Sequence, residues 1–159
     1  MGRPRSRRHD RPRQEGLSQE DIARLSRGFL DAAGLPRKEC IVEDADYFGE
    51  MFAKRARVTR NQMRNFYQET RRIWELVSPP GTPDESKMEK NFTTNHPLLL
   101  MVMAKANYGV GRESNKLPTP FRDYLVESIK KVNSAKEFSA FMKSFEAMVG
   151  YFYSNDPRA

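Results

Sequence analysis

The sequence predicts an all-α fold: a compact bundle of five main helices plus a short one, behind a disordered basic N-terminal arm. Three observations carry that reading. Apolar residues recur at three- and four-residue spacing through most of the chain after residue 16. Cap signals, a Ser or Thr followed three residues on by Asp, Gln or Glu, open several of the periodic stretches (Ser18/Asp21, Thr59/Gln62, Ser134/Glu137). The period-two alternation of a half-buried strand is absent, and no internal repeat is seen. With 159 residues, one domain over 17–159 is expected, long enough to bury a core.

Residues 1–16 contain arginine, proline and glycine and almost nothing apolar, so this arm cannot bury enough surface to fold alone. It reads either as an arm on nucleic acid or as a solvated tail. Ser18 and Asp21 predict a first helix running to about Ala33, with Ile22, Leu25, Phe29, Leu30 and Ala33 inward and Gly34-Leu35-Pro36 ending it. A second helix is expected from about Asp44 to Ala56, with Tyr47, Phe48, Met51 and Phe52 inward. Lys54 and Arg55 in its last turn also suit the helix dipole.

The stretch 59–77 is the most informative. Its capping box starts a helix at Arg60. Met63, Phe66, Tyr67, Thr70, Ile73, Trp74 and Val77 then make one inward face, which carries the sole tryptophan. Arg60, Arg64, Gln68 and Arg71 fall in a second stripe beside it. The link from the preceding helix is very short, so Arg57 should lie near that stripe.

Pro79, Pro80 and Pro83 stop this helix. A short helix is expected at about 84–91, and another opening at Asn95 or His96 with Pro97 and running to about Arg112. The first half of the latter, LLLMVMA, is apolar all round and reads as the central helix of the core. In its second half Lys105, Tyr108 and Arg112 share one side, a basic-aromatic stripe or a helix end with cations at its C-terminus. Thr119 as cap with Pro120 at the first helical position opens a helix to about Val132. The closing helix runs from Ser134 to about Tyr153, with Phe138, Phe141, Met142, Phe145, Met148, Val149 and Phe152 inward. Ala140, Ala147 and Gly150 lie roughly opposite, and the residues favour an exposed side over a close-packed one.

The net charge is +7, and its distribution matters more than its size. Residues 1–16 hold six arginines against Asp10 and Glu15; residues 54–72 hold seven cations against Glu69. Two concentrated basic segments point to a polyanion partner. Cys40 is the only cysteine, which excludes an internal disulfide and a cysteine-based zinc site. No apolar run approaches the roughly 20 residues of a membrane span, and no signal peptide follows the leading arginines, so a cytoplasmic protein is expected.

No catalytic constellation is found. His9 and His96 have no nucleophile to serve, and Glu43, Asp44 and Asp46 sit where a helix start attracts carboxylates. Gly109-Val110-Gly111 lacks the strand and third glycine of a phosphate loop, and Ser128 with Lys131 lacks the companions that give S-x-x-K meaning. A structural partner is expected for Glu146. No metal and no cofactor are expected. Cations spaced along helices bind phosphates without reading bases, and no base-reading signature is present. A helical module of this kind suits a strand whose sequence something else reads.

Three blocks carry a family resemblance. Thr59, Gln62, Arg64, Phe66 and Tyr67, in the spacing T-x-x-Q-x-R-x-F-Y, resemble the signature of the small all-helical subunit of type III-A (Csm-type) CRISPR effector complexes. Lys105, Tyr108 and Arg112 are similar to that family's K-x-x-Y-x-x-x-R segment. Residues 145–152 resemble its F-E-A-x-V-A-Y-F ending, with Gly150 where alanine is usual. The blocks span roughly 42–153, and the arm lies outside them.

The resemblance implies a non-catalytic subunit. Copies would line up inside the complex, beside the backbone subunits that hold the guide RNA and the large subunit. They would support the guide RNA–target RNA duplex and contact mainly the target strand. By motif match, Arg64 and Arg112 are the first RNA-binding candidates; Arg60, Lys105, Arg57 and Lys54 follow from charge. Gln62 reads as a cap, and the aromatic spacing favours Tyr67 and Tyr108 as core residues. The alternatives are the type III-B small subunit and a protein–protein adaptor whose arginines meet acidic partner surfaces.

Overall fold

Side-chain caps set where several of the helices begin. The computed structural model describes residues 15–81 and 84–156. Most of the expected arm (1–14) lies outside the described residues. Among those described, the α-helices are α1 (Gln19–Ser26), α2 (Lys38–Ile41), α3 (Glu43–Glu50), α4 (Arg60–Val77), α5 (Glu85–Val110), α6 (Thr119–Lys130) and α7 (Ala135–Asn155). A π-helical turn, Met51–Arg55, continues α3. Extended pairing is limited to an isolated bridge between Leu30 and Pro36, so the all-α expectation holds for the described residues.

The capping boxes of Ser18 with Asp21 and of Thr59 with Gln62 both close reciprocally. At α7 the Ser134 hydroxyl accepts from the Glu137 N–H at 3.1 Å, while the Glu137 carboxylate takes the N–H of Asn133 at 3.3 Å.

Several boundaries differ from the sequence expectation, each for a physical reason. The first helix ends at Ser26 rather than near Ala33, because Gly28 adopts a left-handed φ of 75° and its N–H returns to Leu25. Beyond it the Asp31 carboxylate accepts the N–H groups of Ala33 and Leu35, both at 2.9 Å, which holds a turn. The helix expected from Asp44 begins at Glu43 and is preceded by α2, which no side chain caps. Thr119 is already helical, with Pro118 in the cap position.

The largest difference is at Pro97. The short helix expected at 84–91 and the one expected from Pro97 are a single helix, α5, with Pro97 inside it. Phe92 before the proline and Leu99 after it are both buried, so packing carries the helix across the break. The hydroxyls of Thr93 and Thr94 and the amide of Asn95 donate to carbonyls one turn back, at 3.0, 3.1 and 2.8 Å.

The apolar run in α5 is also not the core axis. Leu99 and Val102 are fully buried, but Leu98 and Leu100 are 41 % exposed and Met101 is 55 % exposed. The axis is α7. Phe138, Phe141, Phe145, Met148 and Phe152 are buried completely. Phe145 meets Tyr67 of α4 at 5.4 Å and Tyr124 of α6 at 6.0 Å; Phe138 meets Trp74 of α4 at 5.3 Å and Phe92 of α5 at 6.2 Å. Helix α3 approaches so closely that a Cβ at Gly49 would lie 2.8 Å from the backbone nitrogen of Phe152. The stripe of small residues on α7 is split: Ala140 is buried, whereas Gly150 is exposed with nothing near its missing side chain.

Candidate nucleic-acid interface

The N-terminus of α4 organises the candidate site. Gln62 closes the cap on Thr59 with its amide oxygen, and its amide nitrogen donates to the carbonyls of Asn115 at 3.3 Å and Lys116 at 3.1 Å. One side chain therefore starts α4 and pins the loop that follows α5. Farther along, Glu69 of α4 pairs with Lys105 of α5, and Asn91 of α5 donates to the Val77 carbonyl at 3.1 Å. These pairings run in opposite senses along the two helices, so α4 and α5 are antiparallel neighbours. The two basic stripes, separated by some forty residues of sequence, share this helix pair.

Arg64 is exposed and donates to the Asn61 side chain. Arg112 follows the α5 C-cap Gly111, exposed in the pinned loop. Lys105 and Arg72 both face the Glu69 carboxylate, so one anion meets two cations and leaves the pair with net positive charge. Asn65, Gln68, Glu69, Arg72 and Lys105 line an open hollow on this surface. Half-exposed pairs of this kind contribute little to stability, and a phosphate can replace the carboxylate.

Lys54 lies in the π-helical turn, 3.5 Å from Glu50. Arg57 is exposed and holds a left-handed φ of 55°, where glycine or asparagine is the usual choice. The Ala56 N–H bonds back to Met51 and the Val58 N–H to Phe52, both at 2.9 Å, so the end of the π-turn imposes that conformation. The carrier of the strain is a cation two residues before the Thr59 cap.

Arg60 is oriented differently. Its Nε donates to the buried Asp156 carboxylate at 2.8 Å, and its guanidinium lies 5.3 Å from the Tyr153 ring centroid. Arg71 turns the same way, into a groove lined by Tyr67, Trp74, Lys143 and Glu146. The stripe drawn from sequence thus divides: Arg60 and Arg71 lean to α7, and Arg64 stays outward. The expected neighbour of Glu146 is Arg71, whose pKa is raised first by the Tyr67 hydroxyl, with Glu146 adding to it.

Tyr67 is half-buried against Phe145, as its spacing predicts. Tyr108 is not a core residue: it is 72 % exposed, because the inward side of α5 at this level is taken by the fully buried Ala106. Two cations escaped the site list drawn from sequence. Arg72 continues the i, i+4, i+8 row from Arg64 through Gln68, a signal that was present; Lys116 has only its neighbourhood to Gln62 to mark it.

The strongly perturbed groups lie elsewhere. Burial pushes the Cys40 thiol up to about 11, the opposite of what activates a nucleophile. Burial also raises Tyr124, and it raises Tyr47 together with the hydrogen bond to Asp21. Asp44 is engaged by Arg24 at 3.1 Å. Among the described residues, no three His, Cys, Asp or Glu side chains cluster to hold a metal ion, and no helix is long and apolar enough to cross a membrane.

Compared with known families, residues 36–157 match the family described as Csm2 Type III-A. No curated protein and no solved structure matches the chain. The match contains all three motif blocks, Gln62 and the loop it pins, and it decides for type III-A over the type III-B alternative. The chain belongs to the Csm2 family, the small subunits of type III-A CRISPR effector complexes.

Proposed function

We propose that this subunit is non-catalytic and supports the guide RNA–target RNA duplex through the α4–α5 face, contacting mainly the target strand. In the cytoplasmic complex it lies along the inside, beside the backbone and large subunits and neighbouring copies of itself. Arg64 and Arg112 are the principal phosphate contacts. Lys105 and Arg57 extend the surface on either side, Lys54 adds charge at the corner before α4, and Arg60 borders the surface while tied to Asp156. The observation that carries the reading is the pair of hydrogen bonds that the Gln62 amide donates to the Asn115 and Lys116 carbonyls, which sets Arg64 and Arg112 at the same end of one helix pair.

The test is target-RNA binding by complexes assembled with Arg64→Ala or Arg112→Ala, measured across a salt series. Each variant is expected to keep its thermal stability and to reduce the slope of log K against log salt by about 1. An unchanged slope in both would remove this face from the RNA path.

A second reading has its own support. Leu98, Leu100 and Met101 of α5 are exposed apolar side chains, and Leu76 of α4 is exposed on the neighbouring helix. They favour a protein contact on the same helix pair, and an adaptor role would leave RNA affinity intact while Met101→Asp prevents assembly.

A further inference from the structure

The base of the basic arm is built into the fold. The Leu17 N–H donates to the Asp123 carboxylate at 3.0 Å, and Leu17 is buried. Gly16 lies so close that a Cβ there would collide with the same carboxylate. Asp123 also accepts from Arg122 Nε at 2.7 Å, and Arg122 reaches the Asn107 side chain of α5 at 2.9 Å. On the other side Ser18 caps α1. These contacts fix the point where residues 1–14 join the bundle. Residues 1–14 lie outside the described residues, and their sequence holds six arginines against Asp10.

The root stands at the end of the bundle that carries the candidate interface. Gly16 and Ser18 share an open hollow with Arg55, Ala56 and Pro120. Asp21, also on the hollow, is taken by the Ser18 N–H and the Tyr47 hydroxyl. Arg57 and the Thr59 cap of α4 follow directly on Ala56, and Pro120 follows the loop that Gln62 holds at Lys116. Arg55, Arg57, Arg112 and Lys116 are all exposed. A polycation joined beside exposed cations is repelled from them, and one anion lying across both relieves the repulsion. An acidic patch on a folded protein would have to match two separate basic segments. A nucleic-acid backbone carries a charge at every residue and meets both without a shaped fit, and guanidinium groups suit its phosphates.

We infer that residues 1–14 are a second RNA contact, rooted by Asp123 beside the π-turn corner, which takes phosphates of the bound RNA where it passes beyond Arg57 and Arg112. This rests on the RNA-binding reading of the α4–α5 face and extends it past the folded surface. Fourteen residues reach at most about 50 Å from their root. The arm therefore adds affinity close to the folded contacts, and it reads no base identity, because its contacts are to the backbone.

The experiment uses the assembled complex and a complementary target RNA. One full-length variant combines Arg3→Gln, Arg5→Gln, Arg7→Gln, Arg8→Gln, Arg11→Gln and Arg13→Gln; a second is Arg64→Ala. The arm variant is expected to keep its Tm and to assemble. At about 0.7–0.9 per phosphate, three contacts among the six arginines lower the slope of log K against log salt by about 2. A photoreactive benzoylphenylalanine at Ser6 should crosslink RNA within about 35 Å, the reach of ten residues, of the nucleotides that crosslink from the same group at Glu113. If the arm variant leaves the slope unchanged while Arg64→Ala lowers it, the arm inference fails and the RNA reading stands. If neither variant lowers the slope, both fail. If Ser6 crosslinks only to a protein subunit and the slope is unchanged, the arm is a protein contact and the inference is overturned. Crosslinks from Ser6 to RNA far from those of Glu113 also overturn it, since the arm would then act away from its root.

Discussion

Two helix pairs in this molecule are built on opposite terms. Where α3 crosses α7, the backbones touch: Gly49 sits against Met148, Tyr151 and Phe152, and the flanking phenylalanines are fully buried. Where α4 runs beside α5, the outer edge is joined by Gln62, by Glu69 with Lys105, and by Asn91, and the surface above it is left to Arg64, Arg72, Tyr108 and Met101. Helix α4 shows the same division along its own length: Arg60 is locked to a buried carboxylate, and Arg64, one turn later, is held only by an exposed amide. The difference teaches that charge in a stripe has no single role. A guanidinium facing a buried anion maintains the fold, and one facing solvent is available to a ligand.

The seam predicts the largest effect. Gly49→Ala places a methyl 2.7 Å from the Tyr151 Cβ and 2.9 Å from the Met148 carbonyl oxygen, so α3 must move off α7. A loss of about 2–3 kcal/mol is expected, seen as a clear fall in Tm. A Tm equal to that of the unaltered chain would mean the seam is as yielding as the α4–α5 edge. Arg60→Ala should come next. It strips a cation from the buried Asp156, and because Arg60 is itself part-exposed the expected cost is about 1–2 kcal/mol in chemical denaturation. If Arg60→Ala instead leaves stability intact and lowers RNA affinity as Arg64→Ala does, the division along α4 disappears. The smallest effect has the opposite sign. Gly150 is helical, exposed and clear of neighbours, so Gly150→Ala should raise stability by about 0.5–1 kcal/mol. A loss there would show that the outer side of α7 is not free.

The sequence was most readable where the deciding interaction is local. The caps of Ser18 and Thr59 lie within four residues, and both form as their spacing predicts. The inward face of α7 follows from period alone, since a helix packed on several neighbours must bury that many phenylalanines. It was least readable where distant residues decide. Pro97 reads as a helix start until Phe92 and Leu99 are seen to bury on one core. Gly28, unflagged between Arg27 and Phe29, ends α1 by its dihedral angle, which spacing does not reveal. The exposure of Leu98, Met101 and Tyr108 depends on which side of α5 the other helices cover. The same limit applies to the candidate site. Motif spacing singles out Arg64 and Arg112 as candidates and charge adds Lys105, but the partner of Arg60 lies 96 residues away and is invisible to periodicity.

The double attachment of Gln62 has a thermodynamic consequence. A free surface loop must give up roughly 1–2 kcal/mol of backbone freedom per residue when a ligand orders it. Here the 111–116 segment is held by Gln62 and by the Leu117 N–H on the Gly109 carbonyl at 3.0 Å, so that freedom is surrendered when the chain folds. Whatever reaches Arg112 meets a loop already set, and its binding is weakened less by ordering than the length of the loop alone would imply.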